Sequence, residues 1–368
     1  MASFLKLVSV KLERYIEVIF KIDNFRRNRM IKEKLFYYFP FLRKLDKFFS
    51  ERSIVNLVTE SLNLTDDILP CFLTAIPHPT TGIGHAFSEW NTGRIIARDC
   101  GLQFVHISLP SQWDRFLAIQ GNNISLKEVL KIPDIRVVRI PEYDYRKTDP
   151  CLEIKNIIKS FTPKCPTLFV LADGQNLNHH NLFLDELKQS YFKAHSPSKT
   201  IVDMRCGNKK MLIVAVHIRR GDVEMMKRNN HGNWKERHLE LTFFLEILGV
   251  IRDLLLDYNL TFNIYSQGNK EDFSPFLRFK NVNLFINHDQ YETMNDMVHS
   301  DILVLSPSGF SYMAGLISDG FKIAKYPWWH EIPDDKDWCR VSEQPSQDSQ
   351  NIANKLSCFL MVDRLEAL

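Results

Sequence analysis

From about residue 66 to residue 326 the sequence alternates short apolar runs with longer stretches at helical spacing. It begins with "CFLTAI" (71–76), passes through the glycine-bearing "TTGIGH" (80–85), and continues into "AFSEWNTGRIIARDCG" (86–101), closed by Gly101. "LQFVHISL" (102–109) follows as the next apolar run. Strand, loop, helix and strand in that order form a βαβ unit, because parallel strands need a long crossover between them. "IRVVRI" (135–140) and "TLFVLA" (167–172) extend the same sheet.

A polar stretch near 194–208 ends this half, and the alternation then repeats. "MLIVAVHI" reads as a strand, "ERHLELTFFLEILGVIRDLLLDY" as one long helix, and "LTFNIYSQ" and "NVNLFINH" as strands. A helix around 294–300, the strand "DILVLS", the helix "GFSYMAGLISDG" and the strand "FKIAKY" complete the half. Two consecutive α/β halves predict two Rossmann-like domains facing a cleft, here 66–205 and 206–338, with a helical arm at 1–65 and a helical tail at 339–368. The hydrophobic share of 45%, with 26 Phe, supplies core for both.

Charge is uneven. Residues 1–52 hold 13 Lys and Arg against 6 Asp and Glu, a balance of +7, so the remainder of this +3 chain carries −4. A basic, aromatic arm on a mildly acidic body argues against a nucleic-acid binder. The arm is either a peripheral membrane-surface contact or an amphipathic helix packed on the body. Its apolar residues are broken by Lys6, Lys11, Glu13 and Arg14, too soon for a membrane span. Seven Cys without a C-x-x-C pair suit a reducing compartment, so a cytoplasmic location is expected.

The chemistry concentrates where "MLIVAVHI" runs into His217, Arg219, Arg220 and Asp222. In an open α/β sheet ligands bind at the carboxyl ends of the strands, and the arginine fork matches phosphate oxygens. A structural alternative is an Arg–Asp pair, with Asp222 folded back on Arg219 or Arg220. A second candidate is "LSPSGFS", where the strand stops at Ser306, itself a candidate donor contact, and a helix starts near Ser308. The free N–H groups of Gly309, Phe310 and Ser311 and the hydroxyls of Ser308 and Ser311 would form an anion site. The alternative is an ordinary serine cap. A third is the loop of Gly82, Gly84 and His85, which lets backbone approach a ligand or simply makes a tight βα turn. No D-x-D motif flanked by strand residues is present, and "DDKD" (334–337) reads as a solvated turn, so no metal site and no cofactor are expected.

"HIRRGD" after an apolar strand resembles the H-x-R-R-x-D motif of the α1,6-, α1,2- and protein O-fucosyltransferases. "ILVLSPSGFSYMAGLIS" and "GIGH" are similar to a later motif and the N-terminal glycine loop of that superfamily. The resemblance implies a GT-B fold and inverting, metal-independent transfer of fucose from GDP-fucose to a glycan hydroxyl. It implies that His217 and Arg219 contact the diphosphate, that Arg220 and Asp222 fix the loop, and that Ser308 meets the β-phosphate. Tyr265, Ser266 and Gln267 would line the nucleotide pocket. The sequence departs from the family at Ser266-Gln267, where an acidic residue is usual. The catalytic base is open among Asp222, Glu224, His231 and His85, chosen by chemistry alone. A UDP-sugar donor, a non-catalytic nucleotide-sugar binder and a membrane-surface scaffold are the competing readings.

Overall fold

The structure is a computed structural model that describes residues 69–76, 82–109, 113–119, 124–140, 150–172, 184–206, 211–230, 232, 234–328, 330 and 332–366. The basic arm and His231 lie outside the described residues. The chain divides into two compact units. The first takes the described residues within Met1–Thr80, Thr92–Ile107 and Asn122–Gly174, and the second those within Thr81–Asn91, Ser108–Gly121 and Gln175–Leu368.

The first unit is built on five parallel strands: β1 (Cys71–Ile76), β2 (Gln103–His106), β3 (Ile124–Ser125), β4 (Arg136–Arg139) and β5 (Thr167–Ala172). Their order is β3-β2-β1-β5-β4, with β1 paired to β5 from Cys71↔Thr167 to Ile76↔Ala172. Phe72, Ile76, Val105, Leu168 and Val170 bury one face of the sheet. The one polar side chain inside β1, Thr74, is fully buried and donates its hydroxyl to the Val105 carbonyl at 2.9 Å. The crossover from β1 to β2 is helix α1 (Ile83–Asp99), followed later by α2 (Pro150–Ser160). Because α1 starts at Ile83, Gly84 and His85 sit in its first turn and not in the expected loop. The N–H groups of His85 and Ala86 both donate to the Gly82 carbonyl, at 3.1 and 3.2 Å.

The second unit holds six parallel strands: β6 (Met211–Ile218), β7 (Asn259–Ser266), β8 (Val282–Ile286), β9 (Ile302–Leu305), β10 (Phe321–Lys325) and β11 (Trp338–Val341). Its helices are α3 (Leu184–Ala194), α4 (Lys199–Arg205), α5 (Asp222–Arg228), α6 (Leu241–Leu254), α7 (Gln290–Val298), α8 (Gly309–Ile317) and α9 (Ser349–Glu366). Helix α6 buries Phe243, Phe244, Ile247, Leu248 and Ile251, one stripe at helical spacing, and α9 adds Ile352, Leu356 and Phe359 to the same core. The single helix expected over 236–258 is two, the short turn Trp234–Arg237 and α6. Between them the backbone leaves helical geometry at Glu240, and His238 and Leu239 are buried.

The strand order is β11-β10-β9-β6-β7-β8. The chain winds outward from β6 to β8, then returns to the other side of β6 and winds outward again. That is the doubly wound order, and its switch point lies between β6 and β9. Both sheets are the parallel α/β sheets that the alternation predicts. Strand β11 escapes that reading, since "WCRV" is four residues interrupted by Arg340. "DDKD" is also more than a solvated turn. Asp337 pairs with the fully buried Lys322, which donates as well to the Ser318 carbonyl at 3.0 Å, and Asp334 meets Lys355 at 3.1 Å.

Candidate functional site

Strand β6 is held on both sides. It pairs with β7 along its whole length, from Met211↔Asn259 to Ile218↔Ser266, and with β9 from Val214↔Ile302 to Val216↔Val304. Ile213, Val214, Ala215, Val216 and Ile218 are fully buried, so the strand is a rigid stem. Its carboxyl end delivers His217, Arg219 and Arg220 to the switch point. Strand β9 delivers Ser306, Ser308, Gly309 and Phe310 to the same place.

Ser306 joins the two strand ends. Its hydroxyl donates to the His217 carbonyl at 2.7 Å and accepts the Arg219 N–H at 2.9 Å, and it lies 2.9 Å from His217 Nδ1. The His217 ring packs on Phe310, with centroids 5.4 Å apart. Burial, and then the neighbouring Arg219 charge, push the imidazole pKa down to about 3, so His217 is neutral at pH 7.

The two arginines separate in role. Arg220 is turned into the protein. It donates to the carbonyls of Arg219 at 2.9 Å and Leu239 at 3.0 Å, and its Nε lies 3.2 Å from Glu224. Arg219 meets Asp222 at 2.9 Å, the pair that the structural alternative foresees. With the Asp222 side chain 51% exposed, that pair is a weak tether that a ligand anion can replace. Glu224, a candidate base, is engaged by Arg220 and by His238 Nε2 at 2.9 Å. His238 in turn faces Glu240, which Lys227 also meets at 3.0 Å.

The turn after β9 differs from expectation in its hydroxyls. Ser308 adopts extended backbone before α8, but its side chain makes no cap. Ser311 is fully buried and donates to the Ser306 carbonyl at 2.9 Å, with the Ser308 carbonyl at 3.2 Å. Inside a turn where Pro307 offers no N–H, that hydroxyl satisfies carbonyls and is not free for an anion. The start of α8 therefore offers backbone N–H groups and no side-chain cap.

Tyr265 and Ser266 are structural as well. Tyr265 is 1% exposed, stacks on Phe285 with centroids 5.0 Å apart, and donates its hydroxyl to Asp296 at 2.9 Å. Ser266 donates to the Ile218 carbonyl at 2.7 Å. Gln267 alone of the three is exposed, just past the strand end and against Gly221. Gly221 sits at φ 64°, ψ −109°, where only glycine is comfortable, and a β carbon there would also strike the Gln267 carboxamide.

The glycine segment comes to the same place. Gly84 lies directly on the backbone of Gly309, with no space for a β carbon. His85, one residue on, lies 3.6 Å from Glu89, which is 1% exposed. Sequence reasoning missed two neighbours. Trp113 packs edge-on to Phe310, centroids 6.2 Å apart, and tilts against Tyr291 at 4.6 Å. Arg237 is half-buried, and burial followed by the Arg219 charge lowers its pKa. Neither stands in a periodic pattern, and each reaches the site only through tertiary packing. Among the described residues no group of three or more His, Cys, Asp or Glu is placed to hold a metal ion.

No family model and no curated protein matches the sequence. Among solved structures, the chain is similar to the fucosyltransferase NodZ from Bradyrhizobium, at 11% identity and TM-score 0.40, over 69% of this chain and 95% of that one. It is also similar to POFUT1 in complex with GDP, at 12% identity and TM-score 0.37, over 69% and 96%. A structure of POFUT1 with GDP-fucose matches at 12% identity and TM-score 0.37, over 69% and 95%.

Proposed function

We propose that this chain is a glycosyltransferase whose second unit holds the diphosphate of a nucleotide sugar at the β6/β9 switch point. The observation that carries the reading is the convergence there of Arg219, the uncapped start of α8 and the glycine backbone at Gly84. A guanidinium paired only with a half-exposed carboxylate, a helix start without a side-chain cap and a close glycine backbone suit a diphosphate.

In the reaction so supported, an acceptor hydroxyl attacks the anomeric carbon. The new C–O bond forms as the bond to the diphosphate breaks, with inversion, and the hydroxyl proton passes to a base. Negative charge gathers on the departing diphosphate, where Arg219 and α8 stabilise it without a metal. Asp222 is the better-placed candidate base of the two acids, since Glu224 is engaged by Arg220 and His238. The H-x-R-R-x-D resemblance names GDP-fucose as donor and a glycan as acceptor.

One observation favours a second donor. Neither Ser266 nor Gln267 is acidic, and the Ser266 hydroxyl is bound to the Ile218 carbonyl, which leaves the usual acidic partner of the guanine or ribose without a counterpart at these two positions. A UDP-sugar then fits the same diphosphate site. Donor hydrolysis with GDP-fucose and with UDP-sugars, each with and without chelator, separates the two. Turnover of GDP-fucose alone supports fucose, turnover of a UDP-sugar alone overturns it, and turnover of neither overturns catalysis.

A further inference from the structure

Three short contacts converge on one hydroxyl at the switch point, and a hydroxyl has one proton and two lone pairs. The Ser306 oxygen and the His217 carbonyl oxygen are 2.7 Å apart. Two oxygens at that distance need a proton between them, and the carbonyl has none to give, so the proton is that of Ser306. One lone pair then takes the Arg219 N–H at 2.9 Å. What remains facing His217 Nδ1, also at 2.9 Å, is a lone pair, so Nδ1 must carry hydrogen. Every hydrogen-bonding position of Ser306 is filled from within the chain.

We propose that Ser306 is a positioning residue that fixes His217 as the neutral Nδ1–H tautomer, leaving Nε2 an unprotonated acceptor. Nε2 has no hydrogen-bond partner among the described residues, and Ser306 itself has no position left for a ligand. Two earlier expectations change as a result. Ser306 does not contact the donor, and His217 does not contact a phosphate oxygen, because a lone pair facing an anionic oxygen repels it. The ligand atom suited to Nε2 is an N–H or O–H donor. The same hydroxyl also anchors the Arg219 backbone, so one side chain sets both the histidine tautomer and the base of the arginine. The tautomer follows from the hydrogen bonds alone, and only its consequence for turnover rests on the proposed glycosyl transfer.

Long-range proton–nitrogen spectra of the full chain labelled with 15N-histidine test this at pH 7. His217, one of 12 histidines, is identified by its loss in His217→Gln. The expected spectrum has a protonated Nδ1 and a bare Nε2. An Nε2–H tautomer, a mixture or an imidazolium in the unaltered protein overturns the proposal. Ser306→Ala should populate the Nε2–H form, and Ser306→Thr, which keeps the hydroxyl, should preserve Nδ1–H. An unchanged tautomer in Ser306→Ala overturns it too. In the donor-hydrolysis assay, Ser306→Ala should lose about 10-fold or more in kcat/KM, as misplacing a substrate-contacting group does, with Ser306→Thr restoring most of it. Equal activity of both variants overturns the positioning role. No hydrolysis by the unaltered protein overturns the glycosyltransferase reading and leaves the tautomer result standing.

Discussion

Gly84 rests on the backbone of Gly309, so close that no β carbon fits between them. Two segments 225 residues apart in sequence therefore meet glycine to glycine at the start of α8, both within the second unit. The contact is backbone on backbone, with no side chain between the start of α1 and the start of α8.

Gly84→Ala should accordingly cost about 1–3 kcal/mol, the range for forcing a methyl group into packed structure. Gly82→Ala, two residues earlier, should be nearly neutral, since a β carbon at Gly82 meets nothing within 4 Å. Urea unfolding of the two variants checks this. Equal stability would mean the α1 start shifts away from Gly309 at no cost.

Arg219 and Arg220 are adjacent in sequence and opposite in role. Arg220→Met strips donors from the Leu239 and Arg219 carbonyls and one of two partners from Glu224, and should destabilise the fold by about 1–3 kcal/mol. Arg219→Met loses only an exposed pair and should keep the melting temperature, while turnover falls about 10²–10³-fold. Melting curves and donor hydrolysis, measured together, distinguish the two. A destabilised Arg219→Met with normal turnover would leave the diphosphate without its cation.

Acid should weaken the fold through His217. Its folded pKa of about 3 lies below the ordinary 6.5, so between those values the unfolded chain holds a proton that the folded chain does not. Stability contributed by neutral His217 is complete above pH 6.5 and is lost as pH falls toward 3, at about 1.4 kcal/mol per pH unit. Unfolding at pH 7, 6, 5 and 4 should therefore show a steeper decline in the unaltered protein than in His217→Gln. Parallel declines would show that the histidine titrates alike in both states.

Much of the second unit is legible in the sequence because most of its strands are dominated by apolar residues and its helices carry clear stripes, as in α6. The position of Arg219 follows from the same logic, since a strand must end somewhere and this one ends in guanidinium groups. Legibility stops where function depends on hydrogen-bond partners. Nothing in "SPSGFS" says that the Ser311 hydroxyl turns to the Ser306 carbonyl, or that Ser306 is saturated by His217 and Arg219. Tyr265 looks like a pocket residue at a strand end, yet Asp296, 31 residues on, takes its hydroxyl into the interior. Trp113 and Arg237 enter only by tertiary contact, and β11 is too short to show a period.

Thermal unfolding with GDP, UDP, GMP and guanosine, run on the unaltered protein and on Arg219→Ala, bears most directly on the diphosphate site. A ligand that binds only the folded state raises the melting temperature with concentration, following RT ln(1 + [L]/Kd). A nucleoside diphosphate should raise it, the matching nucleoside should not, and Arg219→Ala should lose most of the shift. A shift of the same size in Arg219→Ala, or none with any diphosphate, would mean that the β6/β9 switch point does not hold the donor.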